Sequence, residues 1–387
     1  TSVTESTADV ATALATNNGE VTMFLWNDVA YIAKYGEVVI TSSAEEATTV
    51  RGVVEGAAAL TSATVSEGVE VVGNRTFRKC ANLETVALPN TLTEIGPAVF
   101  QSCSKLANIT IPESVTTIGE GAFAECTSLT SINIPVGVTS IGEWAFYNCS
   151  SLISLSIPDG VTSIGANAFY YCTSLASAPE LPATELADYC YREMFYGCTS
   201  LTCMGGIFAE HYAKYSCEYM FNGCTSLSNV PKLQKTNLKE YCYSGMFAGC
   251  TSLTETPELP ATTLATACYL LMFVGCISLE NAPELPATTL ADYCYCQMFY
   301  NCTSLTEAPK LPATTLVERC YDNMFRGCTN LTTGTNLPAK SLTSYCYRSI
   351  FLNCTNLTAA PELPATTLAK DCYLLPLKGS FGSNSAS

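Results

Sequence analysis

The chain has 387 residues, 48% of them hydrophobic and only 13% charged, with 34 acidic against 18 basic side chains and a formal net charge of −16. That balance argues against a nucleic-acid binder, which needs a basic footprint to displace phosphate counterions, and against docking on anionic lipid. No apolar run approaches the ~20 residues that cross a bilayer.

Residues 1–57 do not repeat. The start, Thr1-Ser-Val-Thr-Glu-Ser6, is polar and has no signal-peptide pattern. Ala8–Thr16 reads as a helix, with Ser6 or Thr7 as its N-cap and Asn17-Asn18-Gly19 as its end. Val21–Trp26 and Glu37–Thr41 read as strands. Two readings of this segment stand: a cap over the first turn of a repeat array, or a small α/β domain, which below about 60 residues is marginal without staples.

From residue 58 the chain repeats. Up to 178 the period is 23: Leu60, Leu83, Leu106, Leu129, Leu152 and Leu175 lead the units, and Phe77, Phe100, Phe123, Phe146 and Phe169 follow in step. In the copy Leu129–Cys149, Leu129, Ile132 and Ile134 suggest one short strand closed by Pro135. Val138 and Ile141 suggest a second extended piece on the opposite wall, and Trp144-Ala145-Phe146 a tight helical turn. From 179 to 378 the period is 26, with Phe195, Phe221, Phe247, Phe273, Phe299, Phe325 and Phe351 in register. A Pro four residues after the leading Leu removes a ladder donor, so the strand should shrink to about three residues per coil. Leu290, Cys294, Met298 and Cys302 lie four apart, which predicts a short helix on the back wall, capped by Thr288 or Thr289 and ended by Asn301, where other copies have Gly. Asn301 and Asn353 then match glycosylation sequons only as caps. Two units are irregular, at Leu201 and Leu331. Pro376 ends the array, and 379–387 reads as a flexible tail. A fixed period of this length means a solenoid, here an α/β repeat solenoid with a short parallel sheet on one wall.

The 22 Cys fall into the same series. Twelve follow the Phe by three residues and eight precede it; Cys203 and Cys296 stand outside both. Neighbours in a file sit roughly 5 Å apart with parallel Cβ directions, which is poor disulfide geometry. They are expected to be reduced, buried thiols acting as small hydrophobes, with Cys296 a surface thiol.

Ser114-Val-Thr-Thr-Ile-Gly-Glu-Gly-Ala-Phe-Ala-Glu-Cys-Thr-Ser-Leu129 resembles the BspA-type leucine-rich repeat of bacterial surface proteins, and the Leu-Pro-Ala-Thr-Thr-Leu-Ala units resemble its longer variant. The resemblance spans about 58–375. It implies a right-handed leucine-rich-repeat coil with the sheet on the concave side and an exported, secreted or surface-held protein engaged in adhesion. It carries over no catalytic residues and no cofactor.

Candidate chemistry is sparse. His211, the only histidine, lies near Glu210 in the irregular unit without an evident third group to orient it. Cys294 and Cys296 form the one close thiol pair, short of a zinc set. Glu180, Glu258, Glu284 and Glu362 form a file that could bind Ca²⁺, but Lys232 and Lys310 share it, which favours solvated alternating charge. Tyr recurs four and six residues before the Phe. Such stripes can bind glycans or proteins, though stacking over the core is the simpler reading. The strand positions Thr130, Ser131, Asn133, Thr254, Glu255, Thr306 and Glu307 should face solvent as a partner-binding surface. The sequence thus supports a non-enzymatic interaction protein with a protein or glycan ligand, no metal and no cofactor. The alternative is a structural rod, such as a filament or phage-fibre part, with end-to-end self-association.

Overall fold

The computed structural model describes residues 22–26, 29–34, 37–42, 49–50, 54–183, 186–205, 212–230, 232–233, 236–359 and 361–374. The expected helix at 8–16, the stop at Pro376 and the tail 379–387 lie outside them. The chain divides into two compact units: Thr1–Glu185, Glu193–Leu201 and Gly205–Ala209 form the first, and Leu186–Arg192, Thr202–Met204 and Glu210–Ser387 the second. Among the described residues each is a stack of parallel coils.

The first unit carries two sheets. Strands β1 (Thr22–Trp26), β2 (Val29–Lys34) and β3 (Glu37–Ser42) form an antiparallel meander. β4 is Thr49–Val50, β5 Ser62–Val65, β6 Val71–Val72 and β7 Thr85–Ala87. β3 pairs with β5 in parallel, and β5 with β7, so the meander covers the strand edge that the first coil would otherwise leave open. The second sheet runs along the wall that begins with β4 and β6 and continues through β8 (Glu94–Ile95), β9 (Thr117–Ile118), β10 (Ser140–Ile141) and β11 (Ser163–Ile164), all parallel. The continuous ladder thus follows Val138–Ile141. The Leu129–Ile134 piece, expected to hold the sheet, is reduced to a bridge, Ser131 to Ser154. In the second unit the corresponding segment keeps the bridge Glu307 to Thr333, where Pro removes a ladder donor from most coils. Gly142 is obligatory at the exit from the ladder: a Cβ there would lie 2.5 Å from the Glu120 nitrogen one coil back.

The back wall corrects the expectation of helices, none of which occurs among the described residues. It is a ribbon of consecutive turns. In one coil the N–H groups of Cys294, Cys296, Met298, Tyr300 and Cys302 each donate to the carbonyl three residues back. The intervening N–H groups of Tyr293, Tyr295, Gln297, Phe299 and Asn301 donate to the next coil, at Glu318, Cys320, Asp322, Met324 and Arg326. Every fourth residue is left-handed: Tyr293 at φ 61°, Gln297 at 55° and Asn301 at 59°. The physical reason lies in the period. Four residues advance an α-helix by 400°, so a file spaced by four drifts about 40° per step and leaves the face. A four-residue ribbon keeps Leu290, Cys294, Met298 and Cys302 aligned. Asn301 is left-handed as foreseen, but as the last of a series and not as a helix cap. In the 23-residue coil the ribbon is shorter, with left-handed residues only at Trp144 (59°) and Asn148 (53°).

The core is built of files. Phe77, Phe100, Phe123, Phe146, Phe169 and Phe195 stack at 5.2–5.6 Å in the first unit, and Phe221 to Phe351 at 5.5–5.8 Å in the second. Tyr243, Tyr269, Tyr295, Tyr321, Tyr347 and Tyr373 make a second stack at 5.6–6.1 Å. The Cys that follows each Phe is more than a spacer. Cys302 donates its thiol to the Phe273 carbonyl of the coil before, at 3.0 Å, and Cys328 does the same to Phe299. That carbonyl also accepts the N–H of its own Cys302, so a small apolar side chain with one weak donor suits the site. All 22 Cys are free, and only Cys203 is half-exposed. Cys296 is buried, which corrects its reading as a surface thiol. Its file runs through Leu270 and Asp322, inside the ribbon. Burial, then the nearby Asp322 carboxylate, push its thiol up to about 12.

Three outcomes test this packing. Thiol titration in denaturant is expected to count 22 groups, whereas the native chain should react rapidly at Cys203 alone; fewer thiols in denaturant would mean disulfides. Phe299→Ala is expected to cost ~3–5 kcal/mol in chemical unfolding, since it empties one step of a closed stack. Burial raises thiols such as Cys126, Cys172 and Cys276 from 9.0 to about 12. Because the folded value is the higher, their stabilisation is complete below pH 9 and is lost as pH rises from there toward 12. The melting temperature should therefore fall steeply above pH 9; a flat profile to pH 11 would contradict the burial.

Candidate functional site

On the strand wall, Thr130, Ser131 and Asn133 in the first unit are exposed, and so are Thr254, Glu255, Thr306 and Glu307 in the second. Leu129, Ile132 and Ile134 around them take the inward positions and are buried. Successive coils are joined by backbone bonds such as Thr130 N–H to Ala107 O at 3.1 Å and Ile153 N–H to Thr130 O at 3.1 Å. The Thr hydroxyls brace this wall as well, with Thr332 Oγ1 3.2 Å from Thr306 O and Thr358 Oγ1 2.9 Å from Thr332 O. Within each unit these residues form open files. Sequence reasoning missed Ile153, which occupies the Thr130 position one coil on and is 55% exposed. A Leu-rich repeat hides it, since only alignment of the copies reveals an apolar residue in a polar file.

The acidic file behaves as separate solvated charges. Glu180, Glu258, Glu284, Glu362, Lys232 and Lys310 are all exposed. Glu258 and Glu284 flank a shallow recess of about 340 Å³ between Pro257 and Pro283. Among the described residues no group of three or more His, Cys, Asp or Glu side chains is arranged to hold a metal. Cys294 and Cys296 are both buried in the ribbon, and burial raises the Cys294 thiol further, which leaves it a poor ligand and nucleophile. His211 lies outside the described residues.

The turn wall holds more varied chemistry. The Tyr file nearest the core is buried as a stack, but the outer file is half-exposed: Tyr189, Tyr215 and Tyr241 stack at 4.9 and 4.8 Å. Farther along, Arg319 takes the same position, with its guanidinium 5.5 Å from the Tyr293 ring and 4.4 Å from Tyr345. Beneath it Asp322 is buried, bound by Arg348 Nε at 2.9 Å and by the adjacent Asn323 amide. That carboxylate raises the Arg348 pKa above its already high value. In the first unit, Trp144 and Tyr147 border a groove of about 580 Å³ whose polar lining includes Arg75, Gln101, Glu120 and Glu125. The groove has a sequence signal, a run of small side chains at Ala98, Gly121 and Ala124 in files that are otherwise large, legible only once the files are known to face outward.

Among the described residues these features bring no nucleophile against a base. No curated protein matches the chain. Among solved structures it resembles a leucine-rich repeat protein from Bacteroides ovatus ATCC 8483, at 23% identity and TM-score 0.63 over 87% of this chain and 92% of that one. A leucine-rich repeat protein from Eubacterium ventriosum ATCC 27560 is 19% identical with TM-score 0.52, over 95% and 99%. At these identities the likeness concerns the fold. The BspA type leucine rich repeat region matches in six copies over residues 55–176, 180–297 and 272–363, most of the chain, and the protein belongs to that family.

Proposed function

We propose that the protein is a non-enzymatic cell-surface interaction protein that adheres to a protein partner through its strand wall. One observation carries the reading. The repeat fixes the backbone of this wall, while its exposed side chains change from coil to coil, from Thr130, Ser131 and Asn133 to Ile153 and Ser154, and in the second unit from Thr254 and Glu255 to Glu280 and Asn281 and back to Thr306 and Glu307. Regular solenoid faces of this kind serve as extended binding surfaces. An exposed Ile among small polar neighbours is a fitting anchor, because apolar contact at the centre of a patch with a polar rim concentrates binding energy. Residues 1–57 act as the cap of the array in this reading, and family membership supports placement at the cell surface.

The test is a binding screen of the intact chain against immobilised host matrix proteins. A partner is expected whose affinity falls about ten-fold or more on Ile153→Glu and less on Thr130→Ala, with unchanged melting temperature. No partner in the screen, together with end-to-end association of the chain, would favour a structural rod instead.

A further inference from the structure

The turn wall of the first unit is interrupted at one place. In its file of left-handed residues the side chains run Arg75, Ala98, Gly121, Trp144, at φ 62°, 51°, 57° and 59°. Three residues further on, the parallel file runs Arg78, Gln101, Ala124, Tyr147. Where these files carry only a methyl group or a hydrogen, a groove of about 580 Å³ opens, with Arg75 at one end and Trp144 and Tyr147 at the other. Stacked Phe rings mark 5.2–5.4 Å per coil, so the groove spans three coil steps.

The aromatic end of the groove and its polar side chains Gln101 and Glu125 are held in place before any ligand arrives. Trp144 Nε1 donates to Glu143 Oε1 at 3.1 Å, and the indole meets the Tyr147 ring edge-on at 5.2 Å. Arg78 Nε donates to Gln101 Oε1 at 2.7 Å, which fixes the carboxamide and keeps its NH₂ group as a donor. Ser102 Oγ donates to Glu125 Oε2 at 2.6 Å. Beyond Trp144 the aromatic surface continues. Tyr170 lies 5.8 Å from the Trp144 ring and stacks on Tyr196 at 4.6 Å and 3°, with Tyr171 against both. All of these rings are at least partly open to solvent.

We propose that this groove and aromatic strip bind a neutral hexose oligosaccharide. A sugar ring has an apolar C–H face and a rim of hydroxyls that both donate and accept. Trp144 and Tyr147 offer the first an aromatic surface; Gln101, Glu120, Glu125 and Arg75 offer the second planar, charge-assisted partners of both kinds. The volume suits one or two sugar units, and the strip to Tyr196 gives a longer chain further stacking positions. Two carboxylates against one guanidinium disfavour an acidic sugar, and such charge at the centre is depleted in protein interfaces. The site is on a different wall from the strand files, so it stands or falls independently of the protein-adhesion reading.

The chain has two Trp, so Trp26→Phe leaves Trp144 as the sole tryptophan, excited selectively over the Tyr residues at the red edge of absorption. Its emission is titrated with short neutral fragments of α- and β-glucans, mannan and galactan, and binding to the unaltered chain is measured in parallel by calorimetry. At least one fragment is expected to give a saturable signal and measurable heat. Trp144→Ala and Ala98→Arg should each weaken binding about ten-fold or more at unchanged melting temperature. Ala98→Arg fills the groove without touching the aromatics, and Arg75 has the same left-handed backbone in the same file. The proposal is overturned if no fragment binds, if Ala98→Arg leaves binding intact, or if tetramethylammonium perturbs Trp144 while the sugars do not, which would mark a cation site.

Discussion

The alternation of backbone hydrogen bonds along the turn ribbon is the constraint on which the rest of the structure depends. Each coil divides its N–H groups between two tasks, closing turns within itself and tying itself to the next coil. Neither set is sufficient alone. A turn bond is local and weak, and an inter-coil bond needs the neighbour already in register. Left-handed conformations at non-glycine residues cost roughly 1 kcal/mol or more each, and the ribbon uses two or three per coil. The cost is offset because each such residue also directs its N–H to the coil beyond, as Tyr293, Gln297 and Asn301 do. The Phe and Cys files follow from this geometry. Stacked coils bring Phe rings to 5.2–5.8 Å, and the Phe carbonyl, already accepting one N–H, takes a thiol from the following coil as well.

The repeat was legible in the sequence because its files are invariant where the core is closed: Leu at the head of each unit, Phe, and Cys three residues later. Burial of the thiols could be read from their periodicity alone. The ribbon could not, because a spacing of four is ambiguous between a helix and a series of turns, and the deciding element, alternation of bonds between coils, lies across 26 residues of sequence. The weight of the sheet was misplaced for a related reason. Hydrophobic alternation at Leu129–Ile134 is stronger than at Val138–Ile141, yet the second segment makes the ladder, since Gly142 lets its backbone approach the coil behind. Cys296 was misplaced by its isolation in the sequence; Asp322, one coil on in its file, is buried by an Arg348 pair that no local pattern announces. The exposure of the strand positions from Thr130 to Glu307 was plain from the apolar residues around them, but Ile153 and the Trp144 groove were not, because both are departures from files and become visible only when coils are stacked.

The change of period can be understood in the same terms. Counting back from the Cys that ends the ribbon, Gly142 in the shorter coil corresponds to Tyr295 in the longer one, and Ala145 to Met298. The shorter coil closes three turns, at Ala145, Tyr147 and Cys149; the longer closes five. Additional turns widen the space that the coil encloses, and Tyr and Met fill it, which is why the buried Tyr stack belongs to the 26-residue coils. The shorter coil has no interior room for such a ring, and its aromatics at Trp144, Tyr147 and Tyr170 stand on the outer side of the ribbon. A buried Tyr position thus exists only in the longer coil, while both kinds of coil carry aromatics on the outer side.

This division bears directly on where recognition can evolve in such a chain. A substitution in a core file is felt by two neighbours at once, because each ring or thiol touches the coil before and the coil after. Outward files are open to solvent on one side and carry less of this penalty, and single departures in them create local relief: a methyl group for a guanidinium opens a groove, an Ile for a Thr raises an apolar point. The scaffold therefore supplies a rigid grid with a step near 5 Å, and binding character resides in the few grid points that differ from their file. In the first unit two such points fall on separate walls, the strand wall at Ile153 and the turn wall between Arg75 and Trp144, so the two proposed ligands would not compete for the same side chains.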